Sequence, residues 1–114
     1  EFSAPKLRRG WMPPHPTLYV RRSVFESVGR FDTTLRIAAD YEWMLRLLLA
    51  GHRIAYIPHV QVRMRTGGVS NRSLTSIARK SVEDFTSLRR NGFSRSAAVV
   101  TLISKNLRKL PQLL

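Results

Sequence analysis

Two spacings of apolar residues run along this chain. Between Asp40 and Ala50 the polar positions are Asp40, Glu42 and Arg46, while Tyr41, Met44, Leu45, Leu48 and Leu49 make a broad apolar stripe. That spacing predicts a helix, stopped by Gly51. Leu74, Ile77, Ala78, Phe85 and Leu88 keep the helical period over 73–90, with Ser70 and Asn71 as candidate caps and Asn91-Gly92 as the stop. A further helix is expected over 95–107, with Ala98, Val99, Leu102 and Ile103 apolar, and a short one over 22–28, capped by Ser23 and ended by Gly29. Residues 17–21 and 60–65 alternate apolar and polar with period two, 52–57 is also rich in β-formers, and all three read as strands, the last stopped by Pro58. Thr66-Gly67-Gly68 reads as a turn. Residues 1–16 read as irregular, because Pro13, Pro14 and Pro16 stiffen the chain and remove donors.

This order predicts an α/β fold in which a few mixed strands form an incomplete sheet with helices. Residues 1–70 would hold that part, and 71–114 would be a C-terminal extension of two helices. The length of 114 residues and a hydrophobic content of 43 % suit one domain with a core. No cysteine is present, which excludes disulfides, thiolate metal sites and a cysteine nucleophile. No apolar run approaches the roughly 18 residues of a membrane span.

Charge changes the picture more. Twenty basic residues face seven acidic ones, for a net charge of +13. Such a chain attracts polyanions: nucleic acid, anionic lipid or phosphorylated small molecules. In that setting Asp40, at the junction of loop and helix, needs an account. From the residues alone it is either the helix cap or a general base facing a cleft. Glu42 and Arg46 are four apart, in the favourable acid-before-base order. Trp43 reads as core. Trp11 and His15 are large side chains on a stiff loop; each reads as either a ligand contact or an ordinary loop residue.

The motifs His15-Pro16-Thr17, Arg21-Arg22-Ser23, Gly29-Arg30-Phe31-Asp32, Ala39-Asp40-Tyr41-Glu42, Arg46-Leu47 and Gly67-Gly68-Val69-Ser70, in this order, resemble the C-terminal half of bacterial family 2 glycosyltransferases. These are inverting enzymes with an A-type, Rossmann-like fold that build polysaccharides. The resemblance covers residues 9–92. It implies transfer of a sugar from a nucleotide sugar to a saccharide or lipid-linked acceptor, with Asp40 as the base that takes the acceptor proton. It further implies a chain truncated at its N-terminus, inactive alone. The Asp-x-Asp metal motif of the family is absent here, so no cofactor is expected on this chain, and Mg or Mn would serve only the intact enzyme. Relatives place a metal-binding His near residues 60–65; here Arg63 and Arg65 stand there and would neutralise diphosphate instead. Substrate contacts are expected from Trp11, His15, Glu42, Arg63 and Arg65, and no metal ligand from any residue.

The implied location is the cytoplasm, peripheral on the inner face of the cytoplasmic membrane. Lys105, Arg108 and Lys109 beside Leu107, Leu110, Leu113 and Leu114 would lie on an anionic membrane surface, or dock on the missing half. Exposed sheet edges would favour a homo-oligomer. The alternative reading is a basic nucleic-acid-binding module or a membrane-surface domain without catalysis. Nucleic acid is the weaker partner, because the basic residues are spread over every element rather than gathered on one face.

Overall fold

A computed structural model describes residues 3–65 and 73–108. Five helices follow one another: α1 (Ala4–Arg8), α2 (Arg22–Val28), α3 (Ala39–Leu49), α4 (Leu74–Arg90) and α5 (Arg95–Leu107), with a 3-10 turn at His15–Thr17. The turn expected at 66–68 and the caps expected at Ser70 and Asn71 lie outside the described residues.

Helix α3 is central and buried almost all round. On one side Tyr41, Leu45 and Leu48 pack with Leu7 of α1, Ala38, Leu88 of α4 and Ala98 of α5. On the other, Trp43, Met44 and Leu47 meet Val24, Phe25 and Val28 of α2, together with Leu18 and Val20. Leu45 has no exposed surface, and cutting such a side chain back to Ala costs about 2–5 kcal/mol. Helix α4 packs on α3 and α5 on α4, so the first core draws on both sides of residue 70.

Helix ends follow local chemistry. Ser73 and Ser94 cap α4 and α5 by accepting the N–H groups of Ser76 and Ala97. Ser3 caps α1, whose early Pro5 suits a first turn. Helix α2 begins one residue before the expected Ser23 cap and ends at Gly29, whose φ of 90° suits a residue without Cβ. At Gly10, φ is 80° and an added Cβ would lie 2.7 Å from the Thr101 carbonyl oxygen of α5, so that close approach also requires glycine.

Among the described residues there is no strand. The α/β expectation is therefore overturned, and with it the resemblance to the A-type fold of family 2 glycosyltransferases: the regular structure of the described residues is all helical. The physical reason is that alternation marks which side of an extended segment is apolar, whereas a strand also needs a partner to take its N–H and C=O groups. Residues 17–21 begin at the end of the 3-10 turn and run on without a ladder. Residues 52–65 are irregular and lie in the open, with Tyr56 68 % and Val60 80 % exposed.

Candidate functional site

The sequence places its candidate chemistry at the start of α3, and the structure shows how that start is built. Its cap position is Ala38, which has no side chain to do the work. Glu83 of α4 braces the residues that lead into it, accepting the backbone N–H groups of Arg36, Ile37 and Ala38 at 3.2, 2.8 and 2.9 Å. Asp40 is thus inside the first turn and not the cap. It is half-buried, and its Oδ1 accepts the N–H of Tyr41 at 2.7 Å. Among the described residues its carboxylate enters no ion pair. A carboxylate here also sits favourably against the helix dipole.

Behind Asp40, α3 grips the loop that leaves α2. Arg46 donates from its two terminal nitrogens to the carbonyls of Val28 and Arg30, each at 2.7 Å, and Trp43 Nε1 donates to the carbonyl of Gly29 at 2.7 Å. Three successive carbonyls are thereby held by one helix. Arg46 Nε in turn donates to both oxygens of Glu42 at 2.9 and 3.1 Å, and Asn91 of α4 donates to Glu42 at 3.3 Å. Glu42 is only 5 % exposed. The structure engages it as a partner of Arg46 and Asn91 in the packing of α3, at a buried position.

The turn carried by this loop is likewise built from within. Asp32 accepts the N–H and the hydroxyl of Thr34 at 2.9 and 2.6 Å and pairs with Arg90 at 2.6 Å. The Thr34 hydroxyl and N–H, with Arg90, outweigh the opposing effect of burial and hold its carboxyl below the usual carboxylate range. Phe31 stacks in a cluster with Phe25 and Trp43, and His15 meets Phe31 edge-on at 6.4 Å. His15 is exposed and Trp11 half-buried. Trp43, expected in the core, is there.

Arg63 and Arg65 are exposed on the open segment 52–65, and among the described residues no hydrogen bond or ion pair joins them to Asp40. The structure brings His15, the Phe31 turn and α3 together; it does not bring the two arginines to Asp40. Two shallow concavities are described. One, of about 520 Å³, is lined by Thr34, Arg36, Arg79, Val82 and Glu83, and the other, of about 330 Å³, by Arg8, Phe93, Ser96, Ala97, Val100 and Thr101. Asp40 lines neither.

Sequence reasoning missed a buried ionic cluster. Asp84 of α4 is 2 % exposed and accepts from Lys80 at 2.9 Å and from Lys105 of α5 at 2.7 Å. The Lys105 ammonium also lies over the Tyr41 ring, 3.2 Å from its centroid. Burial, helped by the Asp84 charge, pushes the Tyr41 phenol far above its ordinary range. The four-residue spacing of Lys80 and Asp84 is a signal that was there to be read; the Lys105 contact has none.

Among the described residues no group of three His, Asp or Glu side chains is placed to hold a metal ion. Nor is any helix among them long and apolar enough to cross a membrane. Comparison with protein-family models, with curated proteins and with solved structures finds no match.

Proposed function

We propose that this chain supplies the acceptor-side base of a sugar-transfer site, with Asp40 taking the proton from a saccharide or lipid-linked hydroxyl as that oxygen attacks the anomeric carbon of a nucleotide sugar with inversion, the anomeric C–O bond to the diphosphate breaking and the nucleoside diphosphate leaving. The reading rests on no fold likeness. The observation that carries it is the start of α3: Glu83 takes the N–H groups of Ile37 and Ala38, and the half-buried Asp40 carboxylate, which accepts the Tyr41 N–H through Oδ1, enters no ion pair among the described residues. A base of this kind needs only moderate proton affinity, because the proton leaves as the new bond forms. Arg46 and Trp43 would hold the neighbouring loop, and with it the Phe31 turn and His15, at a fixed place beside the helix. Donor nucleotide and any cation would be bound by groups outside this chain's described residues. Trp11 and His15 are proposed to contact the acceptor, and Arg63 and Arg65, on their exposed segment, to reach the donor phosphates only once a partner positions them. The place of action in this reading is the inner face of the cytoplasmic membrane.

The test is transfer of labelled sugar from a panel of nucleotide sugars to soluble and lipid-linked acceptors by the parent assembly and its Asp40→Asn variant. The expected loss in kcat is about 10²–10⁴-fold with donor binding unchanged. Turnover like wild type would remove Asp40 from the chemistry.

A further inference from the structure

Helix α5 is turned inside out. Its inward residues are Ala98, Thr101 and Lys105, whereas Val99, Val100, Ile103 and Leu107 are 45, 64, 54 and 58 % exposed. At about 100° per residue these four fall on one side of the helix. The inward side holds the helix in place by polar bonds: Thr101 and Ser104 donate to the carbonyls of Arg8 and Arg9 at 2.7 and 2.8 Å, and Lys105 donates to Asp84 at 2.7 Å. The apolar residues that would ordinarily anchor a surface helix are left facing out.

The charge around this stripe has one sign. Helix α5 contains no Asp or Glu. Arg95 opens it, Arg108 follows its end, and both are exposed. Arg8 stands at the rim of the concavity of about 330 Å³ that Val100 also lines. Aliphatic side chains between arginines, with no carboxylate on the helix, are the arrangement that lies in the plane of an anionic lipid surface, side chains among the acyl chains and cations at the headgroups. A nucleic-acid surface would match the arginines but offer the aliphatic stripe nothing. A protein partner would have to be both apolar and acidic at this patch.

We propose that the outward face of α5 is a docking surface for an anionic membrane, with Val99, Val100, Ile103 and Leu107 entering the interface and Arg8, Arg95 and Arg108 pairing with acidic headgroups. The proposal names the surface behind the membrane location given above, yet it stands on α5 alone, and vesicle binding is read without any transfer assay.

Sedimentation with phosphatidylcholine vesicles, with and without phosphatidylserine, tests it. The full chain is expected to co-sediment with the phosphatidylserine vesicles and to release as salt is raised. Replacing Arg95 and Arg108 together by Gln is expected to weaken binding about fivefold for each arginine removed. Ile103→Asp, at an exposed position, is expected to weaken it at least about tenfold with the helical circular dichroism unchanged. A second measurement covers a variant that fails to fold: Trp placed by Leu107→Trp is expected to be quenched by brominated acyl chains in the same vesicles. Equal binding to neutral vesicles, full binding by a folded Ile103→Asp, or an unquenched Trp at 107 overturns the proposal. So does an affinity for random duplex DNA that exceeds the one for phosphatidylserine vesicles, or a dimer that Ile103→Asp dissolves.

Discussion

Glu83 reaches from α4 across to the N–H groups ahead of α3, and this one side chain ties the two helices electrostatically as well as sterically. Burial alone would raise its carboxyl, but the donors from Ile37, Ala38 and Arg36, with the nearby Arg79 charge, outweigh it and hold the group below its ordinary value. A carboxyl lowered in the folded state contributes stability that is complete above its unfolded value of about 4.5 and is lost as pH falls through the lower folded value. Glu83→Gln is therefore expected to cost about 1 kcal/mol at neutral pH, kept modest by solvent screening. The gap between variant and wild type should close as pH falls through the lowered folded value. Urea melts of both proteins at several pH values measure it; a gap that persists in acid would mean the loss is one of packing and not of charge. None of this was legible from the sequence, where Asp40 offered itself as the cap. The carboxylate that holds the lead-in to α3 stands more than forty positions away, and local spacing cannot announce a partner brought in by tertiary packing.

At the scale of elements, the helices were readable and the strands were not. Spacing of Leu74, Ile77, Phe85 and Leu88 carries α4, and the stripe on α3 carries its buried faces, because a helix satisfies its own backbone and needs only an apolar side to be held. Helix α1 was passed over because Pro13, Pro14 and Pro16 marked all of 1–16 as irregular, although Ser3 before an early proline is a start signal. Residues 52–65 fail for the opposite reason: their alternation is clear, yet no second strand is present among the described residues to complete a ladder. A segment so exposed, without described backbone partners, should open to proteases before the helices do. Limited trypsin digestion is expected to cut first after Arg53, Arg63 or Arg65, leaving pieces that stay together through the core shared by α1, α3, α4 and α5. First cuts within α3 or α4 would show that this segment is sheltered in solution. If a partner strand covers it, protection of those three arginines on adding the partner would follow.

For the whole molecule, the net charge of +13 sets a cost that no single pair offsets. Like charges spread over a radius of gyration of 14.2 Å repel across distances similar to the Debye length, about 30 Å at 0.01 M salt and about 8 Å at 0.15 M. The attractive pairs respond differently. Arg22 with Glu26 and Arg90 with Asp32 are open to solvent and contribute little in either condition. Asp84 with Lys80 and Lys105 is buried, so salt reaches it poorly, and Arg46 with the nearly buried Glu42 is shielded in the same way. What salt changes is therefore mainly the long-range repulsion, which raises the energy of the compact chain more than that of the expanded one. Raising ionic strength between those limits is expected to stabilise the fold by about 1 kcal/mol, or roughly 4 °C in Tm at this chain length. Thermal melts in sodium chloride measure this directly. A Tm that falls with salt would mean that exposed ion pairs outweigh the repulsion, and that the charge of this chain is better balanced across its surface than the composition suggests.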